Sequence, residues 1–229
     1  IEHLLQTVPA EQLHAYTDAP GLAPVRAKMA AYLEKTFGVG YRAEDVYMTS
    51  GASSALAMLA YALLSPGDEV LTLSPYFSEY KLYAEAAGGT LTAVPSNPED
   101  FQIDLDAFSA AISEKTAVVL LNSPNNPSGV ILSRRSITKL AELLEKKSAE
   151  YGHRIYIVAD EPYRELAYDG EEVPFIPAIY KDTIYCYSFS KTLSLPGERI
   201  GFLAIHPELT DYARVRAAIY GAGRALGYI

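Results

Sequence analysis

Runs of apolar, largely β-branched residues on consecutive positions recur along the chain, most plainly AVVLL at Ala117 to Leu121 and IYIVA at Ile155 to Ala159. A strand with one face in water alternates apolar and polar residues, whereas a strand covered on both faces does not need to. These strands are therefore expected inside a sheet with helices on both sides. Val46 to Thr49, Glu69 to Leu73, Thr90 to Val94, Ile184 to Ser188 and Gly201 to Ile205 bring the number of candidate strands to about seven. Between them apolar residues fall at three- and four-residue steps, as in Leu22, Val25, Met29 and Leu33, in Leu56, Leu59 and Leu63, and in Ile137, Leu140 and Leu144. That is the period of an amphipathic helix. Ser133 ahead of Ile137 is a start signal and Pro66-Gly67 behind Leu64 a stop signal. Strand alternating with helix implies a mostly parallel sheet with right-handed crossovers, so the fold class is α/β in three layers, α/β/α.

Composition narrows the function classes. With 229 residues, 49% of them hydrophobic, a substantial core is available without disulfides, and the single cysteine, Cys186, fits a reducing, cytoplasmic setting. A net charge of −9 disfavours non-specific binding to nucleic acid or to an anionic membrane. No run approaches the ~20 apolar residues of a membrane span. His3, His14, His153 and His206 have no metal-ligand spacing, so no metal site is expected. The length corresponds to roughly one and a half domains at about 150 residues each, and the chain starts at Ile1, so it is expected to be a piece of something larger. The last segment reads as a helix through Tyr220 followed by a Gly-rich stretch, GAGRALG.

Ligands of open α/β sheets bind beyond the carboxyl ends of the strands. After the first strand come Ser50-Gly51-Ala52-Ser53, small residues opening a helix, whose free N–H groups and positive dipole end suit a phosphate; an ordinary serine cap is the structural alternative. After the second come Tyr76 and Phe77, able to stack on a planar ring or simply to fill core. After the fourth comes the rigid turn Asn122 to Gly129, which presents side-chain amides. Asp160 follows the fifth, a carboxylate that needs a cationic partner or water. After the sixth come Phe189, Ser190, Lys191 and Thr192, with Arg199 eight residues beyond Lys191; a lysine among hydroxyls can act as an amine nucleophile toward a carbonyl. Five such loops on one sheet edge describe a receptor for a flat, phosphorylated, aldehyde-bearing heterocycle. Pyridoxal 5′-phosphate meets each requirement.

The motifs NNPSG (Asn125 to Gly129), DEPY (Asp160 to Tyr163) and SFSKTLSLPGERIG (Ser188 to Gly201) occur in one order and spacing. Through them the chain, from about Tyr16 to its end, resembles the fold-type I, class I/II aminotransferases of the aspartate aminotransferase-like kind. The resemblance implies that Lys191 forms the Schiff base with pyridoxal phosphate and shuttles the substrate proton. It implies that Asp160 pairs with the pyridine nitrogen, Asn126 and Tyr163 hydrogen-bond the ring phenolate oxygen, and Phe77 stacks on the ring. Ala52, Ser53, Ser188, Ser190 and Arg199 would hold the phosphate. Tyr16, in YTDAPGL, matches a tyrosine that reaches the neighbouring subunit's cofactor, which implies a homodimer. By the same resemblance residues 1–15 are a remnant of an N-terminal arm, residues 16–229 are the cofactor-binding large domain, and the C-terminal small domain, with its substrate-gripping arginine, is outside the chain. The implied activity is transfer of an amino group between an amino acid and a 2-oxo acid, the segment alone being expected to be inactive. The alternatives are a pyridoxal-phosphate-dependent C–S β-lyase or other chemistry on the same scaffold, and a non-catalytic cofactor-binding regulatory module.

Overall fold

The computed structural model describes residues 2–227, so the outermost positions of the two expected spans, Ile1, Tyr228 and Ile229, lie outside the described residues. Two short helices, α1 (Glu2–Thr7) and α2 (Ala10–Leu13), lead into α3 (Ala23–Phe37). Strands and helices then alternate: β1 (Val46–Thr49), α4 (Gly51–Leu63), β2 (Glu69–Ser74), α5 (Glu79–Ala86), β3 (Thr90–Pro95), α6 (Leu105–Ala111) and β4 (Thr116–Asn122). They continue through α7 (Arg134–Tyr151), β5 (Tyr156–Asp160), β6 (Thr183–Ser188), α8 (Phe189–Thr192), β7 (Gly201–Ile205) and α9 (Tyr212–Leu226). All seven expected strands form, each within one residue of its expected ends, in a single sheet ordered β1-β7-β6-β5-β4-β2-β3.

Pairing is parallel from β3 through β6, while β7 is antiparallel to both of its neighbours, β6 and β1. Six strands therefore point the same way and one is reversed. The carboxyl ends of β1, β2, β4, β5 and β6 and the amino end of β7 all open on one edge of the sheet. Each consecutive apolar run is split by the pleat. Val118, Leu120, Tyr156, Val158, Ile184 and Cys186 face a core made with α4, α5 and α9. Val119, Leu121, Ile157 and Ala159 face α6 and α7, and Tyr185, Tyr187, Phe202 and Ala204 face α3. Both faces are covered, which is why these strands do not alternate in polarity. Fully buried Leu33, Leu59 and Leu140 anchor α3, α4 and α7 on the sheet, each contributing roughly 1.5–3 kcal/mol by removal from water.

Ser133 caps α7 as expected, its hydroxyl accepting from the backbone N–H of Ser136. The C-terminal reading needs correction, because α9 does not end at Tyr220 but runs through the glycines to Leu226. A glycine costs a helix about 1 kcal/mol. At Gly223 the small residue is required, since a Cβ there would collide with the Tyr47 hydroxyl as α9 crosses α4 and β1. The reading of Leu22 as a helix residue is also displaced, for it stands at the N-cap of α3. Among the described residues no helix is long and apolar enough to cross a membrane.

Candidate active site

A cleft of about 270 Å³ opens on the edge where the parallel strands end, and ten of the eleven expected site residues line it. Ala52 and Ser53 come from the first turn of α4, Phe77 from the β2–α5 loop, and Asn126 from the turn after β4. Asp160 and Tyr163 follow on from β5, Ser188, Ser190 and Lys191 from β6 and α8, and Arg199 arrives just ahead of β7. The reversal of β7 is what places Arg199 at this edge. Tyr16 is the exception: it is 95% exposed and does not line the cleft of its own chain.

Asp160 forms the floor. It shares the pleat face of Tyr156 and Val158 and lies beside Cys186 of β6, so its carboxylate enters an apolar layer and is only 5% exposed. Oδ2 accepts a 2.6 Å hydrogen bond from the Tyr80 hydroxyl, whereas Oδ1 is buried with no partner. Burial pushes its pKa up from 3.8 to about 6, against the opposing hydrogen bond from Tyr80. Its backbone is held by Asn122, whose amide donates to the Asp160 carbonyl at 2.7 Å and accepts from the Asn126 N–H at 2.6 Å. Asn126 in turn donates to the Tyr163 hydroxyl at 3.3 Å. Burial and the neighbouring Asp160 hold the Tyr163 phenol above its ordinary range, so it stays a neutral donor.

Tyr80 and Asn122 carry this geometry without having been singled out by the sequence. Tyr80, in the first turn of α5, lies three residues beyond Phe77 of the preceding loop, and their rings meet edge to face with centroids 5.6 Å apart. Asn122 closes β4 on the same register rung as Asp160.

The opposite end of the cleft is built for an anion. Ser50 precedes α4 but makes no side-chain capping bond, so the structural alternative of an ordinary serine cap does not hold. The first N–H groups of a 13-residue helix are left facing the cleft with the positive end of its dipole. Arg199 leans over them, its guanidinium bonded to the carbonyls of Pro196 at 3.0 Å and Ser50 at 3.5 Å. No carboxylate pairs with it among the described residues. Two glycines permit this approach: a Cβ on Gly51 would lie 2.8 Å from Arg199 Nη2, and one on Gly201 would lie 2.9 Å from the Gly51 carbonyl carbon. Ser188 caps α8, its hydroxyl 2.8 Å from that of Ser190. Between the two ends stands Lys191, solvent-exposed, its Nζ 5.8 Å from the centre of the Tyr163 ring.

Beneath the cleft, Glu161 points to the other side of the sheet and is fully buried in an ion pair with Arg164. Burial raises the Glu161 pKa to about 7 although Arg164 opposes it. The Arg164 guanidinium lies over the rings of Phe37 at 4.8 Å and Phe175 at 5.4 Å and donates to the carbonyls of Val173 and Pro174. This pair fixes the loop that follows Asp160.

Chemically, the cleft offers a buried carboxylate oxygen awaiting a donor, a primary amine, a hydroxyl–amide pair, an aromatic wall and a cationic cradle. Comparison with known proteins decides what class of molecule this is. The family model for aminotransferase class I and II matches residues 2–222. The chain belongs to that family. Aspartate aminotransferase of Thermotoga maritima is 34% identical over 82% of this chain and 49% of its own length. The arginine–pyruvate transaminase AruH of Pseudomonas aeruginosa is 33% identical over 82% of this chain and 47% of its own length. The crystal structure of an amino transferase from Eubacterium rectale superposes with a TM-score of 0.97 at 49% identity, covering 100% of this chain and 57% of that one. This family member thus spans about half the length of the curated relatives it matches.

Proposed function

We propose that this chain is the cofactor-binding part of an enzyme that moves an amino group between an amino acid and a 2-oxo acid, with pyridoxal 5′-phosphate held in the cleft. The observation that carries the reading is Asp160 Oδ1, a buried carboxylate oxygen with no donor. An orphaned buried anion is costly, and a ring N–H⁺ delivered to it restores the missing bond and the missing charge together. The rest of the cleft fits the same molecule: Phe77 for a ring face, Asn126 and Tyr163 for a ring oxygen, and α4 with Ser53, Ser188, Ser190 and Arg199 for a phosphate. When bound, the cofactor supplies an aldehyde for an amine and an electron-withdrawing ring.

The chain's own residues do the remaining work. Lys191 would offer Nζ to the cofactor's aldehyde and would be the base that moves the proton at the substrate Cα. Asp160 keeps the ring nitrogen protonated. Tyr163 and Asn126 would hold the ring oxygen, and the phosphate cradle would keep the ring from sliding. Two relatives of similar identity are named for different substrates, aspartate in one case and arginine with pyruvate in the other, which supports a substrate choice made largely outside the shared segment. The position of Tyr16, exposed and away from its own cleft, supports a role toward a second copy of the chain and hence a homodimer. The span of about half the relatives' length supports a further substrate-binding domain.

The test is absorbance. Mixing the purified protein with pyridoxal phosphate is expected to give a band shifted from that of the free aldehyde, and Lys191→Ala is expected to lose it. The same shifted band in the variant refutes the assignment.

A further inference from the structure

Resting on the reading of Lys191 as the amine that takes the cofactor aldehyde, we infer that Glu165 is a positioning residue, one that sets where Lys191 stands without touching the cofactor. The lysine rides on α8, a helix of only four residues. A single turn fixes several backbone dihedrals for one hydrogen bond and does not hold itself together in water. Its position must therefore be imposed by tethers from outside. One tether is the Ser188 cap at its start. A second is Phe189, packed edge to face on Tyr187 with centroids 5.2 Å apart.

The third tether, at the end of α8, is a closed polar triangle. Glu165 Oε2 accepts from the Tyr187 hydroxyl at 2.8 Å and from Thr192 Oγ1 at 3.0 Å, and those two hydroxyls are themselves 2.7 Å apart. Glu165 Oε1 also accepts from Tyr32 of α3 at 3.3 Å. Thr192 is the residue immediately after Lys191, so pinning it fixes the rotation of the turn and the direction in which the lysine leaves it.

Glu165 belongs to the short helical turn Arg164–Leu166, directly after Tyr163. Tyr163 at the start of this turn and Glu165 within it thus meet Lys191 through the tyrosine ring and Thr192 through the carboxylate. It is rooted by the buried Glu161–Arg164 pair next to Asp160. Glu165 therefore locks the loop carrying Asp160 and Tyr163 to the turn carrying Lys191. The two groups that must address opposite parts of one ring keep their separation through this contact.

The experiment uses two probes on the cofactor-free protein: pyridoxal 5′-phosphate, and 4′-deoxypyridoxine 5′-phosphate, which has the ring and phosphate but no aldehyde for a lysine to take. Because Glu165 is solvent-exposed, the effect of its loss is expected to match that of an ordinary hydrogen bond, below the range for a bond to a charged acceptor. Glu165→Ala should lower affinity for pyridoxal phosphate about fivefold and leave the deoxy analogue unchanged. Thr192→Val should reproduce this, and Glu165→Gln, which keeps an acceptor oxygen, should recover most of the loss. Equal losses for both probes would mean general damage to the cleft and would overturn the inference, as would no loss for either. Lys191→Ala separates the two layers of argument. If it keeps a preference for the aldehyde over the deoxy analogue, the lysine assignment fails and takes this inference with it. If it abolishes the preference while Glu165→Ala retains it in full, only the role of Glu165 is refuted.

Discussion

Replacing Asp160 by asparagine should make the cofactor-free protein more stable at neutral pH while weakening its hold on pyridoxal phosphate. The carboxyl is 5% exposed, one of its oxygens has no partner, and burial raises its pKa from an ordinary 3.8 to about 6. The folded chain therefore binds this proton more tightly than the unfolded chain does. The stability contributed by that preference is fully present below pH 3.8 and is lost as the pH rises through about 6. At ~1.4 kcal/mol per unit, the loss by pH 7.5 is roughly 3 kcal/mol, a large fraction of the ~5–15 kcal/mol that separates folded from unfolded protein. Asparagine has nearly the same shape and does not titrate. Urea unfolding of both proteins without cofactor, followed by circular dichroism at pH 4.5, 6 and 7.5, reads the difference. The stability of Asp160→Asn relative to wild type should rise by about 2 kcal/mol across that range. Glu161, also raised, titrates in both proteins and largely cancels. Saturating pyridoxal phosphate should stabilise the wild type far more than the variant. A stability difference that does not change with pH would refute the reasoning, because it would mean that Asp160 is not held against its charge.

Three further outcomes follow from the cleft. Tyr80→Phe removes the 2.6 Å bond to Oδ2 and should raise the Asp160 pKa by about another unit, seen as a shift in the pH titration of the bound cofactor's absorbance. Arg199→Ala should weaken pyridoxal phosphate about tenfold or more while affecting pyridoxal, which has no phosphate, little, as measured by equilibrium binding. Gly201→Ala puts a Cβ 2.5 Å from the Tyr187 carbonyl oxygen and should cost about 1–3 kcal/mol in urea unfolding.

The strands were legible because burial on both faces leaves an unmistakable run of apolar residues, and the pleat then sends AVVLL into two cores at once. The site was legible because the strands end in residues with little other reason to be together: a carboxylate after IYIVA, a lysine after Ser190, and small residues before α4. What escaped the sequence were interactions made across the chain by unremarkable residue types. Tyr80 is one of 18 tyrosines, and nothing in its neighbourhood announces a bond to a carboxylate 80 positions away. Asn122 reads as turn chemistry, yet its amide pins both Asp160 and Asn126. Glu165 reads as an exposed acid. The glycines of α9 read as a breaker, because the demand for a small residue comes from Tyr47, far back in the chain. In each case the deciding partner is distant, and local pattern carries no trace of it.

The reversed strand β7 also bears on how the chain comes to fold. Val46 on β1 finds its backbone partner at Ala204 on β7, and the α4 N-terminus finds its arginine at position 199. A ribosome must therefore deliver the chain through β7 before β1 has a strand neighbour or the anion cradle a lid. Such distant pairings are slow to form, since the closure entropy is spent before any contact rewards it. Until then β1 and the opening turn of α4 are an exposed, sticky edge of the nascent chain. A phosphorylated ligand at this cradle is then expected to bind only once β7 has docked, and its presence during refolding should favour that step.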